Sequence, residues 1–145
     1  MNGNRLVLLP VDGSATAHAA ARFAADIASA EGDVVLLLGV AERATLGIMP
    51  DPAVTAALHG YLVEMVDEEA AVVRASGATA ETLVIDADSI HEAILEVARD
   101  RQADVIVMGT HGRTGLARTI IGSVADRVLR HSPVPVVLVP LKAEN

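Results

Sequence analysis

Three glycines and one serine, beginning with the last residue of the apolar run DVIVMG, have a spacing that suits the binding of an anion. The glycines are Gly109, Gly112 and Gly122, and Ser123 comes directly after the last of them. A helix is predicted to begin at this point, where backbone N–H groups lack helical partners and the helix dipole adds about half a positive charge. Glycines let the main chain approach a bound anion without a clash from a Cβ atom. The segment therefore predicts an anion site, for which phosphate is the natural ligand.

Two better-known nucleotide motifs do not fit this segment. A P-loop ends in Lys followed by Ser or Thr, whereas Lys142 is the only lysine in the chain. The dinucleotide motif GxGxxG does not occur, and the glycines follow the fourth predicted strand instead of the first. Phosphate charge would therefore be met by backbone amides, Ser123, Arg113 and a divalent cation. The simpler alternative is that each glycine forms a turn and that Ser123 is an ordinary N-cap.

A second polar segment, PVDGS (Pro10–Ser14), follows the first apolar run. Its Asp12 is the candidate ligand for Mg²⁺ or Mn²⁺, ions that take oxygen ligands and keep several from water and phosphate. The alternative is that Asp12 only forms an Asx turn in Asp-Gly-Ser. A hydrolase triad of serine, Asp12 and His111 is disfavoured because the GxSxG motif is absent, so we expect His111 to hydrogen-bond within its loop or border a nucleotide.

The elements that must position these residues alternate between strand and helix. Helical periodicity covers Ala17 to Ala28, about Ala53 to Ala75, and Ile90 to Ala98. Ser89 with Glu92, and Ser123 with Asp126, have the spacing of a capping box. Short apolar runs predict strands that are covered on both faces: Arg5–Val11, Asp33–Val40, Asp104–Gly109, Pro135–Pro140 and, more weakly, Glu81–Asp86. This alternation predicts a doubly wound α/β fold with a parallel sheet and helices on both faces.

The sheet determines which polar segments meet. In open doubly wound sheets, ligands bind beyond the carboxyl ends of the strands, where neighbouring connections leave in opposite directions. If the first strand lies beside the fourth at that point, Pro10–Ser14 and Gly109–Gly115 converge there. We expect one ligand site between these two segments.

Composition limits the classes of partner. The 145 residues predict a single domain, 1–145, whose core consists mainly of aliphatic side chains because aromatic residues make up only 1%. A net charge of -8 opposes binding to nucleic acid. The chain has no cysteine, no apolar run of membrane-spanning length and no pattern of a signal peptide. We therefore expect a cytoplasmic protein without a membrane partner.

The two ends of the chain resemble one known family. Its nucleotide-binding members carry glycine, two residues, glycine, nine residues, and then glycine with serine or threonine. Gly109, Gly112, the nine residues Arg113–Ile121, and Gly122 with Ser123 match this pattern without a gap, and LVLLPVDGSATAHAAARFAADIA resembles the family's opening strand, aspartate turn and first helix. The sequence is thus similar to the universal stress protein family over nearly its whole length. The middle, Glu42 to Thr79, matches only in its helical character.

The resemblance implies a five-stranded sheet of order 3-2-1-4-5 and an ATP site at its switch point. Asp12 would lie by the ribose or by a Mg²⁺ or Mn²⁺ ion held through the phosphates, and Val40, ending the second strand, would offer its backbone to adenine. The residues to which the resemblance gives a role in cofactor binding are Pro10, Val11, Asp12, Val40, Gly109, Gly112, Arg113, Gly122, Ser123 and Val124. On any other interpretation, Val40 is a core valine and Arg113 a solvated charge.

The last apolar segment predicts a contact between two copies of the chain. PVPVVLVP would lie at the edge of the sheet without a charge to protect it, and such edges tend to be paired or covered. Pro133, Pro135 and Pro140 limit a ladder to Val136–Val139. We expect a homodimer through this strand, as the resemblance also implies.

Three functions remain compatible with the sequence. The first is an ATP-binding regulatory module of the stress response, which acts on a protein partner that the sequence does not identify. The second is a slow ATPase or autophosphorylating enzyme, with Ser14, Thr114 or Ser123 as acceptor. The third is a dimeric interaction protein that binds no nucleotide. The role of the Glu42–Pro52 loop stays undefined.

Overall fold

The fold is a parallel five-stranded sheet with helices on both faces. The computed structural model describes residues 4–28, 30–43, 47, 49, 51–111 and 121–141. The strand order is β3-β2-β1-β4-β5, which confirms the predicted fold class. In chain order the elements are β1 (Leu6–Pro10), α1 (Ala15–Ile27), β2 (Val34–Glu42), α2 (Pro52–Ala75), β3 (Thr79–Ala87), α3 (Ile90–Asp100), β4 (Val105–Gly109), α4 (Ser123–His131) and β5 (Val136–Val139).

The core forms two layers, one on each side of the sheet. The run from Val35 to Leu38 in β2 is buried at every residue, a pattern typical of a strand covered on both faces. Alternate strand residues such as Leu9 and Leu37 pack with α1 and α2. Leu8 and Leu36 point the other way and pack with α3 and α4.

The second and third strands are longer than their apolar runs. β2 continues two residues past Val40 to Glu42, and β3 begins at Thr79 and ends at Ala87. The ladder extends because Ala41 pairs with Asp86 and Glu42 with Ala87 at one end, while Val34 pairs with Thr79 at the other. Polar residues at the strand ends hid these pairs from the hydrophobic pattern, because β3 lies at the edge of the sheet and is only partly buried.

The helix starts follow the sequence except in α4. Ser14, Asp51 and Ser89 are N-caps whose side chains accept a backbone N–H at the start of α1, α2 and α3. The predicted capping box at Ser123 is wrong, because Gly122 is the N-cap and Ser123 is already the first helical residue. Within the described part of the chain, no helix is long and apolar enough to cross a membrane.

Candidate functional site

A cleft of about 500 Å³ lies at the carboxyl ends of β1, β2 and β4. At this place β1 continues into α1 on one face of the sheet, while β4 is followed by α4 on the other. The predicted site residues that line the cleft are Pro10, Val11, Asp12, Val40, Gly109, Gly122, Ser123 and Val124. Gly112 and Arg113 lie outside the described residues, as do residues 44–46, 48 and 50 of the Glu42–Pro52 loop.

The turn between β1 and α1 presents Asp12 to the cleft. Its Oδ1 accepts a hydrogen bond from the Ser14 N–H at 2.9 Å, so the Asx turn is present. Gly13 adopts φ +82°, a left-handed conformation that glycine takes without strain. The second oxygen of Asp12 makes no hydrogen bond to a described residue. The turn therefore orients the carboxylate through Oδ1 and leaves its second oxygen available to coordinate a cation.

Residues at the start of α4, where backbone N–H groups lack helical partners, also line the cleft. The Gly122 N–H is not one of these unpaired groups, because it donates to the Thr110 carbonyl at 2.7 Å. The first donor inside the helix is Asp126, whose N–H bonds to the Gly122 carbonyl at 2.9 Å. Three N–H groups thus have no hydrogen bond to a described residue, those of Ser123, Val124 and Ala125. All three residues line the cleft.

Gly109 has a packing reason that the sequence did not reveal. A Cβ atom built on Gly109 would overlap Oγ1 of Thr16 and lie 2.8 Å from the Thr16 carbonyl carbon. The end of β4 can approach α1 this closely only where β4 has no side chain. Gly109 also lines the cleft, and its contact with α1 is sufficient by itself to explain the missing side chain.

Val40 presents backbone groups to the cleft from within β2, not from its end. The Val11 N–H donates to the Leu38 carbonyl at 2.9 Å, so the polar groups of Leu38 face β1. Backbone groups of alternate strand residues face the same neighbour, and those of Val40 therefore also face the side of β1. β1 has ended by then, and neither group of Val40 is bonded to a described residue.

Several residues that line the cleft were not singled out by the sequence. An apolar wall comes from the helices α2 and α3 through Leu58, Leu62, Ile90 and Ile94. Helical periodicity predicted these residues to face inward, but no local signal says which core residues border an opening. Only the packing of α2 and α3 beside the ends of the strands reveals them.

His111 is one of the residues that line the cleft. It is buried, and its Nδ1 lies 2.8 Å from Thr110 Oγ1. This agrees with the expectation of a loop hydrogen bond. Among the described residues, no cluster of three or more His, Cys, Asp or Glu side chains could hold a metal ion. The described side chains alone would thus not complete the ligand set of a cation, which would also need oxygens such as those of phosphate and water.

Comparison with known proteins identifies the family. The family model described as "Universal stress protein family" matches residues 3–140, almost the whole chain. The chain belongs to the universal stress protein family. One relative, a universal stress protein of Methanocaldococcus jannaschii, is 32% identical over 95% of this chain and 85% of its own length. Another, from Thermus aquaticus, is 31% identical over 93% of this chain and 98% of its own.

Solved structures of the same fold include two with bound nucleotides. The protein MJ0577 of Methanocaldococcus jannaschii superposes with a TM-score of 0.87 at 24% identity, covering 98% of this universal stress protein and 99% of its own chain. A universal stress protein of Archaeoglobus fulgidus in complex with dAMP has a TM-score of 0.69 at 24% identity, with 96% and 99% covered. A further universal stress protein in complex with cAMP has a TM-score of 0.67 at 23% identity, with 96% and 98% covered.

Proposed function

We propose that this universal stress protein binds ATP in the cleft and acts as a dimeric, nucleotide-dependent regulatory module of the stress response. The observation that carries the proposal is the set of three N–H groups at the start of α4 without a described partner, those of Ser123, Val124 and Ala125, in residues that line the same cleft as Asp12. Helix N-termini with unpaired N–H groups favour phosphate. Relatives of the same fold are described in complex with dAMP and cAMP, which are adenine nucleotides.

The other end of the cleft suits a purine base. The N–H and C=O groups of Val40 form one donor and one acceptor on the same side of a strand, and the Watson–Crick edge of adenine offers the complementary pair. The wall from Leu58, Leu62 and Ile90 is apolar, as the face of a base requires. The base would therefore contact β2, and the phosphates α4.

Asp12 is proposed to contact Mg²⁺ or Mn²⁺ that enters with the nucleotide. These groups fit a cation that is held mainly by phosphate. Asp12 offers one carboxylate oxygen, and the described residues contain no cluster of ligands that could hold the ion without a nucleotide. Bound there, the cation would neutralise phosphate charge in a cleft whose described lining contains no lysine or arginine. The lack of such a side chain in that lining favours binding over fast phosphoryl transfer.

We test the proposal by replacing Ser123 with proline, which removes one N–H of the phosphate site without breaking α4. Proline is favoured at the first helical position, and Gly122 before it has φ -60° and ψ 155°, a conformation that proline accepts in its predecessor. A charged hydrogen bond contributes about 1.5–3 kcal/mol, so ATP affinity should fall about tenfold or more. Isothermal titration calorimetry with Mg²⁺ measures this.

Ser123→Ala is the matched control, because it removes the hydroxyl and keeps the N–H. We expect it to bind ATP much more tightly than Ser123→Pro. Equal affinity of the two variants would contradict a phosphate site made of backbone amides. Absence of ATP binding by the wild-type protein would remove the proposed function and favour a dimeric interaction protein without nucleotide.

A second function, slow hydrolysis of ATP or autophosphorylation, would use the same residues. The observation in its favour is the Asp12 oxygen without a described partner, which lines the cleft together with the hydroxyl-bearing Ser14 and Ser123. ADP formation from ATP and Mg²⁺, compared between wild type and Asp12→Asn, decides between the two functions, because ADP forms both in hydrolysis and in autophosphorylation. ADP formation above that in buffer that requires Asp12 would establish phosphoryl transfer, and formation equal to buffer would exclude both reactions.

A further inference from the structure

Two hydroxyl groups at the start of α1 donate hydrogen bonds to one backbone carbonyl beyond the end of β4. Thr16 Oγ1 and Ser14 Oγ both donate to the oxygen of His111, the latter at 3.3 Å. β1 and β4 are neighbours whose chains leave toward opposite faces of the sheet. The two hydroxyls therefore connect the two segments that diverge at the cleft.

Thr16 is positioned rigidly for this contact. It is buried with 3% of its surface exposed, and its Cβ and main chain pack directly against Gly109. A β-branched side chain in a helix has few rotamers, and packing against β4 restricts it further. Thr16 is not among the residues that line the cleft, whereas Ser14 is. An influence of the Thr16 hydroxyl on a ligand would therefore act through its hydrogen-bond partners, the His111 carbonyl and Ser14 Oγ, whereas the packing of Thr16 against Gly109 does not need the hydroxyl.

The contact continues to the start of α4 through the backbone. The carbonyl of Thr110, the residue before His111, accepts the Gly122 N–H at 2.7 Å, and the Thr110 N–H donates to Val139 of β5 at 3.2 Å. The peptide units around Thr110 and His111 are thus bonded to α1 on one side and to the N-cap of α4 on the other. The three N–H groups of the phosphate site follow that N-cap directly.

We infer that Thr16 is a positioning residue for nucleotide binding, which sets the distance between the α4 amides and Asp12 through the Thr16–His111 hydrogen bond. The inference rests on the proposed ATP site. Without the Thr16 hydroxyl, the His111 carbonyl loses the closer of its two hydroxyl donors and keeps the longer bond from Ser14, which also caps α1 through the Ala17 N–H. The α4 amides would then be less well placed, and ATP would have to order them on binding.

The test compares Thr16→Val, which has nearly the same shape but lacks the hydroxyl, with Thr16→Ser, which keeps it. We expect Thr16→Val to lower ATP affinity by about threefold to tenfold, the loss of one neutral hydrogen bond, and Thr16→Ser to restore it to within about twofold of wild type. Ser76→Ala is the control, because Ser76 Oγ also donates to a backbone carbonyl, that of Val73, but at the end of α2 away from the cleft-lining residues. It should leave ATP affinity unchanged.

A second readout separates this inference from the proposed function. Amide hydrogen exchange at Gly122 reports its bond to Thr110 whether or not nucleotide binds, and we expect it to accelerate in Thr16→Val but not in Ser76→Ala. If Thr16→Val keeps wild-type ATP affinity, the inference is overturned whatever its effect on thermal stability. If the wild type binds no ATP, the proposed function fails, while unchanged exchange at Gly122 would overturn the link from Thr16 to α4.

Discussion

At the scale of single residues, the glycines of the candidate site have different physical reasons. Gly13 provides a positive φ in the Asp12 turn, Gly109 allows β4 to contact Thr16, and Gly122 lies before α4 with an ordinary extended backbone. The sequence pattern treats Gly109 and Gly122 alike. Only the environment of each Cα atom separates a packing requirement from a ligand requirement.

Gly109→Ala should destabilise the protein, because the added methyl group would meet Oγ1, Cβ and the carbonyl carbon of Thr16, which is buried and cannot move aside easily. Overpacking of this kind costs about 1–3 kcal/mol. Gly60→Ala is the matched control, because Gly60 lies inside α2 with nothing within 4 Å of its would-be Cβ. It should raise the free energy of unfolding by up to about 1 kcal/mol. Urea denaturation of both variants measures the difference, and a neutral Gly109→Ala would refute the packing explanation.

At the scale of elements, Asp33 joins the amino ends of β1 and β2, at the end of the sheet away from the cleft. Its carboxylate accepts backbone N–H groups of Asn4, Arg5 and Ala30, at 2.9 to 3.3 Å, and the Arg5 guanidinium at 2.9 Å. Arg5 also donates to the Ile27 carbonyl at the end of α1. One buried carboxylate thus connects the start of β1, the end of α1 and the start of β2.

The same contacts make stability depend on pH. The Arg5 side chain first, and then the backbone N–H groups, hold the pKa of Asp33 well below its usual range. A depressed pKa stabilises the fold above the unfolded-state pKa of about 3.9, and this contribution is lost as pH falls toward the folded value. Asp33→Asn should therefore have a lower free energy of unfolding than wild type at pH 7. As pH falls from about 5 to about 2, the variant should lose less stability than wild type does.

Denaturation by urea at several pH values measures this, with Asp88→Asn as control. Asp88 is 83% exposed and pairs with Arg43 at 3.0 Å, so its loss should change stability little. If Asp33→Asn showed the same acid-induced loss of stability as wild type, Asp33 would not be the group responsible.

At the scale of the whole molecule, β5 is an edge strand whose outer backbone groups can pair with a second copy. Pro135 and Val139 accept hydrogen bonds from β4 and from Thr110, so the groups of Val136 and Leu138 face away from the sheet. The side chains of Val136–Val139 are only half-buried in the single chain. The homodimer that we propose would cover this edge.

Val136→Pro should weaken the dimer without opening the sheet. Proline removes an N–H that faces outward, and edge strands accept it there. Val136→Ala keeps the N–H and serves as control. Sedimentation equilibrium should show a dimer for wild type and Val136→Ala and a shift toward monomer for Val136→Pro. Dimers of equal strength in all three proteins would place the interface elsewhere.

The sequence by itself determined the order of the elements, the doubly wound class and the family, because hydrophobic period, turns and glycine spacing are local properties of the chain. It also identified Asp12 and the Gly122–Val124 segment as neighbours of one cleft. The tertiary structure decided which groups already have partners within the fold. The Gly122 N–H is bonded to the Thr110 carbonyl, and Thr16 occupies the space beside Gly109. It also placed Val40 inside β2 and brought Thr16 to His111. These contacts join residues distant in sequence, and their partners are chosen by packing, which no local pattern records.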